Sequence, residues 1–452
     1  MTHPTRPTNP TNPPRPTNGT KRAAAGGERI AVLAGLRTPF ARQASSYRSV
    51  SALDLAKIVV NEIVQRSEID PKDVDLVVYG QVVPSVHAPN IAREVVLGTS
   101  LPKSVQAFSV SRACATSFQA MTSAAEAMLA GQASVAVVGG ADSATDVPIT
   151  VSRRLALALV ESTKAKSFAA KLALFKGLSP KDLVPVPPAP KEPSTGFTMG
   201  ESAEKMAREA GIARADQDAF AHRSHVRAAR AWKDGVFDRE VMHVHLPPRF
   251  DAPVAKDEVV REDGSLEAYA KLKPAFDRKY GSVTAGNSSP LSDGASALVL
   301  ATESYVDAHG LKPLGWLKSW AYAAVDPGWW MLMGPTFATP LALDRAGLEL
   351  THMGVVDMHE AFAAQVLCNR QAFGSTKFAE ERLNRTRAVG EIDEERFNVH
   401  GGSIALGHPF AATGARMVTT VLHELARRGS QFGLATACAA GGLGVAVVLE
   451  AP

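Results

Sequence analysis

Cys114 stands where a cysteine could act as a nucleophile. It follows the apolar run SVQAFSV and precedes apolar residues spaced three and four apart, so it is predicted at a strand-to-helix junction. The positive end of the helix dipole and the unpaired amides there would favour the thiolate, the reactive form of cysteine. The alternative is a small buried apolar residue without a chemical role.

His408 is the candidate general base. Gly407 and Pro409 flank it, which predicts a rigid turn rather than a core helix. An imidazole fixed on such a turn could take a proton from a neighbouring thiol. If His408 stood alone, a solvent-exposed turn histidine would be the simpler interpretation.

Two further segments could contribute to a site. Cys438 follows the strand pattern FGLATA and precedes a glycine-rich turn, so it could exchange a proton, or it could be a buried strand-end cysteine. His359 and Glu360 follow the apolar run VVDM and could organise a polar pocket or serve only as loop or cap residues. His359, His400, His408 and Cys438 have no short ligand spacing, so no metal site is predicted.

The elements around these residues predict an α/β fold. Short apolar runs alternate with helical patterns from Glu28 onward, which is typical of a parallel or mixed sheet layered with helices. Residues 116–140 and 413–438 share the order loop, helix, glycine, strand. This weak repeat predicts two similar halves in which the loops carrying Cys114 and His408 face each other.

Changes in composition predict the domain boundaries. Residues 1–27 are rich in proline and threonine with few large apolar residues, so we predict a disordered leader. Residues 28–150 would form the first half, completed by 278–303, and 304–452 would form the second. Residues 151–277, with basic helices and the run VPVPPAPKEP, are predicted to be an inserted loop domain.

Composition excludes several classes of protein. The net charge of +4 equals the four basic residues of the leader, which has no acidic residue, so the rest is neutral and no nucleic-acid-binding face is predicted. Three widely spaced cysteines fit a reducing cytoplasm rather than a disulfide framework. The glycine-rich GGLG precedes a strand pattern, so it predicts no dinucleotide cofactor.

Five motifs together resemble a known family. They are SRACATS (111–117), TAGNSS (284–289), HEAF (359–362), GHP (407–409) and CAAGG (438–442), in this order along the chain. The chain resembles the thiolases, specifically 3-ketoacyl-CoA thiolases similar to the β subunit of the fatty-acid oxidation trifunctional complex. The resemblance extends over nearly all of residues 28–452.

The resemblance implies a fold and a set of partners. The fold would be a five-layered αβαβα sandwich of two similar halves, with the loop domain inserted over the active site. The protein would form a tight homodimer or a dimer of dimers. Coenzyme A (CoA), 3-ketoacyl-CoA and acetyl-CoA would be substrates and products, with no resident cofactor. The basic stretch 151–182, rather than the resemblance, suggests peripheral membrane contact or docking to a hydratase/dehydrogenase α subunit.

The resemblance also implies roles for individual residues. Cys114 would be the acylated nucleophile, His408 its activating base and Cys438 the acid and base that serves the acetyl fragment. His359 stands where many thiolases have asparagine, and it would hold the water of one oxyanion hole. The backbone amides of Cys114 and Ala440 would form the other hole. Ser289, Phe362 and Met199 would line the CoA and acyl channel.

The implied activity is the last step of fatty-acid β-oxidation. CoA would cleave a 3-ketoacyl-CoA to acetyl-CoA and an acyl-CoA two carbons shorter, through an acyl-cysteine. Alternatives are biosynthetic acetoacetyl-CoA formation, a ketoacyl synthase, and a thiol redox protein with a Cys114 to Cys438 disulfide. A further alternative is a docking subunit, because residues 151–182 carry seven lysines or arginines against two acidic residues. More often, such a pattern is a solvated face packed on the core.

Overall fold

The computed structural model describes residues 27–186, 191–262 and 264–452. The predicted disordered leader lies outside the described residues, apart from Gly27. Ten strands are present in the described part: β1 Ile30–Arg37, β2 Ala41–Arg42, β3 Leu76–Gly80, β4 Gln106–Val110, β5 Val135–Ser143, β6 Ser292–Thr302, β7 Gly315–Ala324, β8 Met353–Met358, β9 Phe432–Ala439 and β10 Leu443–Glu450.

Fourteen α-helices accompany the strands in the same residues. They are α1 Ala52–Arg66, α2 Ile91–Leu97, α3 Thr116–Leu129, α4 Arg153–Ser162, α5 Phe168–Ala173, α6 Met199–Ala210, α7 Arg214–Lys233, α8 Leu266–Ala270, α9 Glu303–His309, α10 Gly334–Ala346, α11 Ala363–Phe373, α12 Thr376–Phe378, α13 Ser403–Leu406 and α14 Thr413–Arg428. None of the helices in the described residues combines the length and apolar character that a membrane crossing requires.

Nine of the described strands fall into two sets, of five and four strands, with a similar order of pairings, and β2 pairs with β6 outside this order. The first runs β4-β3-β5-β6-β1 and the second, read from its far end, runs β8-β9-β10-β7. In both sets the last two pairings are antiparallel, and β1 meets β7 through three residue pairs between Ile30–Val32 and Gly315–Leu317. The two similar halves that the repeat predicted are therefore confirmed.

The clusters of buried side chains show that the strands and helices are stacked in five layers. Strand residues alternate between faces, and one face of each set packs on outer helices: α1 and α2 for the first set, α10 and α11 for the second. The opposite faces of both sets enclose α3 and α14. These two helices approach closely, since a Cβ on Gly414 would lie 2.6 Å from Phe118. The five-layered αβαβα sandwich is confirmed.

The segment between β5 and β6 differs from this framework. Its described residues form helices α4 to α8 and loops. Helix α4 buries only Ala158, and α5 buries no residue. Phe168 and Leu172 are 80% and 63% exposed, so the interpretation of residues 151–182 as a face packed on the core is wrong. The predicted limits of the inserted domain, 151–277, remain a prediction.

Residues 278–303, which were predicted to complete the first half, are only partly strand. Only Ser292–Thr302 joins the sheet, whereas 283–291 forms a loop. Within this loop the Asn287 side chain accepts a hydrogen bond from the Thr284 amide at 2.8 Å and donates to Asp218 at 2.9 Å. A buried asparagine that bonds to nearby backbone stabilises a turn instead of a strand ladder.

Candidate active site

The turn before α3 presents Cys114. Ala113 has a φ of 45°, a conformation that costs a non-glycine residue about 1 kcal/mol or more. The Thr116 hydroxyl stabilises this turn by accepting from the Arg112 amide at 2.8 Å and donating to the Ala113 carbonyl at 2.7 Å. Cys114 thus lies between β4 and α3, and the predicted strand-to-helix junction is confirmed.

The turn before α14 directs His408 at this thiol. Gly407 has a φ of 104°, which explains why glycine stands there. The Ser292 hydroxyl accepts from the His408 amide at 3.2 Å, and Thr413 Oγ1 lies 2.7 Å from His408 Nδ1. The other ring nitrogen, Nε2, lies 3.1 Å from Cys114 Sγ. The two loops therefore face each other as the repeat predicted.

Burial keeps both members of this pair uncharged. Desolvation raises the pKa of the Cys114 thiol to about 12, although the backbone amides of Cys114 and Ala440 lower it. Desolvation and the Arg416 charge lower the pKa of His408 to about 3. The amides at the helix N-terminus lower the thiol pKa, as expected, but removal from water raises it by more. His408 is thereby left free to accept a proton.

This charge state predicts how Cys114 reacts with an alkylating agent. Only the thiolate reacts, so with a pKa of about 12 the alkylation rate should rise about tenfold per pH unit between pH 7 and pH 9. Iodoacetamide labelling of Cys114, followed by peptide mass spectrometry, measures this rate. A plateau near pH 7 would instead indicate a preformed thiolate and imidazolium pair.

The end of β9 and the turn that follows it place a second thiol and a backbone donor beside Cys114. Cys438 is fully buried in the last part of β9, and its pKa is raised by desolvation and further by the proximity of Cys114. The Ala440 amide faces the Cys114 sulfur. The positive φ angles of this turn fall on Gly441 and Gly442, at 79° and 74°. An alanine at position 440 therefore fits the turn without strain.

His359 completes the polar group around Cys114. It is fully buried, and its ring centroid lies 4.2 Å from that of His408. One ligand atom each from Cys114, His359 and His408 lies within 4.8 Å of the others. This set could hold a soft metal ion by geometry, although sequence spacing did not bring these residues together. The absence of a resident metal stays a prediction.

Glu360 has a structural position behind the site. Its carboxylate accepts hydrogen bonds from the Ser224 hydroxyl at 2.7 Å, the Asn398 amide group at 2.7 Å and the Ile404 backbone at 3.3 Å. Burial raises its pKa. The carboxylate joins α7, α13 and the segment after β8, so it supports the pocket rather than facing Cys114.

The three proposed channel residues lie to the Cys438 side of the site. Phe362 and Met199 pack in the apolar cluster that contains Cys438. Ser289 is half-buried, and its amide donates to the Ala361 carbonyl at 2.9 Å. All three therefore lie on segments that border the site, and their contact with substrate remains a prediction.

Sequence reasoning missed four supporting residues. Thr413 and Ser403 contact the two histidines, and Arg416 lies behind Ser403. Asp142 accepts backbone hydrogen bonds from Val82, Val83 and Ala411, and so ties β5 to the His408 loop. Arg416 could have been noticed as the one basic residue on the apolar face of the helix after His408.

Sequence comparison places these features in a family. The chain matches the thiolase N-terminal domain over residues 30–304 and the thiolase C-terminal domain over residues 311–451. It is 58% identical over 426 residues to a 3-ketoacyl-CoA thiolase of Shewanella halifaxensis, covering 94% of this chain and 98% of that protein. A 3-ketoacyl-CoA thiolase of Shewanella amazonensis is 57% identical over the same coverage.

Solved structures agree with the sequence comparison. An acetyl-CoA acetyltransferase of Bacillus anthracis aligns with a TM-score of 0.82 at 30% identity, over 94% of this chain and 99% of that one. Human mitochondrial 3-ketoacyl-CoA thiolase in complex with CoA aligns with a TM-score of 0.77 at 28% identity, over 94% and 98%. Fold and sequence together define the class, and the chain belongs to the thiolase family of acyltransferases.

Proposed function

We propose that this chain is a degradative 3-ketoacyl-CoA thiolase. It cleaves a 3-ketoacyl-CoA with CoA to acetyl-CoA and an acyl-CoA shortened by two carbons. The observation that carries the proposal is the 3.1 Å contact between Cys114 Sγ and His408 Nε2, beside the backbone amides of Cys114 and Ala440. A thiol, a base and two fixed donors are the groups that acyl transfer requires.

The first half-reaction uses all of these groups. His408 Nε2 takes the thiol proton as Cys114 attacks the 3-keto carbon. The amides of Cys114 and Ala440 donate to the oxygen that becomes negative. Collapse of this tetrahedral intermediate breaks the bond between carbons 2 and 3, leaving acyl-Cys114 and the enolate of acetyl-CoA. The Cys438 thiol protonates carbon 2 of the enolate, and acetyl-CoA leaves.

The second half-reaction returns the enzyme to its resting state. The Cys438 thiolate takes the proton of incoming CoA, whose sulfur attacks the carbonyl carbon of acyl-Cys114. The same two amides stabilise the second tetrahedral intermediate. Its collapse releases the shortened acyl-CoA, and the Cys114 thiolate recovers its proton from His408. CoA and acyl-CoA are substrates throughout, and no resident cofactor takes part.

A substrate series tests this function. The protein is assayed for CoA-dependent cleavage of 3-ketoacyl-CoA with chains of four to sixteen carbons. Cleavage that increases toward longer chains is the expected result for a thiolase of fatty-acid oxidation. Cleavage of acetoacetyl-CoA alone would assign the chain to short-chain metabolism and favour the acetoacetyl-CoA-forming alternative. No cleavage at any length would contradict the proposal.

We also propose that two chains associate through β4. This strand is at one end of the first set, so one of its edges carries unpaired backbone groups that a second copy can bind. Phe108 in β4 is 42% exposed, which adds apolar surface at this edge. A homodimer, or a dimer of dimers, is the proposed assembly.

The cytoplasm is the proposed location, because all three cysteines are free.

Helices α4 and α5 favour a second role as a docking element. Most of their large apolar residues are exposed, and Lys164, Lys166 and Lys171 lie among them. Apolar groups interleaved with cations suit a membrane surface or a partner subunit such as a hydratase/dehydrogenase. Removing the three lysine charges should weaken sedimentation with anionic vesicles or co-purification with that subunit. Unchanged binding in both assays would exclude this segment as the docking element.

A further inference from the structure

Of the two ring nitrogens of His359, one has a hydrogen-bond partner in the described residues and the other has none. Nδ1 lies 2.9 Å from Ser403 Oγ, whereas Nε2 is buried and has no hydrogen-bond partner in the described residues. A ring nitrogen of His359 lies within 4.8 Å of the ligand atoms of Cys114 and His408, and Nε2 is the nitrogen that the Ser403 contact leaves available to them. Whether Nε2 can donate a hydrogen bond to a substrate depends on which nitrogen carries the proton.

The hydrogen bonds of Ser403 indicate which ring nitrogen of His359 carries the proton. Its oxygen has two neighbours in the described residues, Arg416 Nη2 at 3.4 Å and His359 Nδ1 at 2.9 Å. A guanidinium can only donate, so the serine oxygen accepts from Arg416. The serine hydrogen then has one acceptor available, which is His359 Nδ1. If Nδ1 carried the proton instead, the buried serine hydrogen would have no acceptor, at a cost of about 1–3 kcal/mol.

Arg416 is itself held in place. It is fully buried and forms an ion pair with Asp357 at 2.7 Å. Its planar fork can reach Asp357 and Ser403 at the same time, which a lysine ammonium cannot do with the same geometry. The Arg416 charge also contributes, after desolvation and His408, to lowering the pKa of His359 well below its usual value. His359 is consequently neutral at physiological pH.

We propose that Ser403 and Arg416 are positioning residues that fix His359 with its proton on Nε2, so that this N–H donates to the negative oxygen of the acetyl-CoA enolate. His359 then donates the hydrogen bond that an asparagine side-chain amide would donate, directly or through one water. This inference rests on the proposed thiolase function and extends it. It explains how a histidine, whose nitrogens exchange roles, can stand where many thiolases have asparagine.

A double-mutant cycle in the full-length protein tests this role. Asparagine at 359 carries its own donor and has no tautomer to fix. His359→Asn should therefore keep kcat within about tenfold of wild type, whereas Ser403→Ala should lower kcat by about 10- to 100-fold with little change in the KM for CoA. In the His359→Asn background, Ser403→Ala should change kcat by less than about twofold, because the serine acts through the histidine.

Two further readouts make the outcomes distinct. Nitrogen-15 NMR of histidine-labelled protein should show a bare Nδ1 and a protonated Nε2 for His359, and Ser403→Ala should change this pattern. An equal loss of kcat in both backgrounds, or a protonated Nδ1 in the wild type, would overturn the positioning role while thiolysis persists. Absence of thiolysis in the wild type would instead refute the proposed function, and the positioning role with it.

Discussion

Cys114→Ala should lower kcat/KM for cleavage of 3-ketoacyl-CoA by at least about 10⁴-fold. Alanine retains the backbone amide that faces the site but removes the sulfur that forms the acyl intermediate. His408 and the Ala440 amide cannot replace a covalent step. The fold should persist, because the Thr116 hydrogen bonds that hold the strained turn at Ala113 do not involve the Cys114 side chain.

Thioester formation at 232 nm or release of acetyl-CoA measures this loss. Cys368→Ala is the matched control, since Cys368 is also a free and buried cysteine but lies in α11. That variant should retain most of the activity. Cleavage by Cys114→Ala at the wild-type rate would show that another group is the nucleophile.

His408→Ala should have the second largest effect, lowering kcat by about 10³-fold. The reason is the high pKa of the Cys114 thiol, about 12, which leaves almost no thiolate near pH 7 unless a base accepts the proton. Without His408, activity should rise with pH, as hydroxide in solution forms the thiolate. The wild type should depend less on pH over the same interval.

Initial rates between pH 6 and pH 9.5 check this prediction. His423→Gln is the control, because His423 lies in α14, away from the Cys114 and His408 turns. The double variant Cys114→Ala/His408→Ala should be no slower than Cys114→Ala alone, since the base has no function without the nucleophile. Full activity of His408→Ala, with an unchanged pH profile, would exclude this histidine as the base.

Local sequence signals were sufficient for the main elements and for the reactive residues. The strand before Cys114 and the helix after it follow from the change of apolar period at one point in the chain. Gly407 marked a turn at His408 because its φ of 104° suits glycine. The repeat around Thr116 and Thr413 then predicted that the two turns meet, which they do.

Other features depend on contacts between distant segments. The pKa of Cys114 is set by how completely the fold excludes water from the thiol, and no local pattern reports that. Ser403 contacts His359 and Arg416 contacts Asp357 only because the fold brings the end of β8 beside α13 and α14. The apolar residues of α4 and α5 have a helical spacing, but spacing does not tell whether another element covers them.

The pairing of β1 with β6 affects how the chain folds as it leaves the ribosome. Ile30 in β1 pairs with Thr302, so this pairing cannot form until about two thirds of the chain has been synthesised. Until then β1 lacks both of its neighbouring strands, β6 and β7, and β5 lacks one of its two, β6. Strands that pair late are slow to fold and open to aggregation.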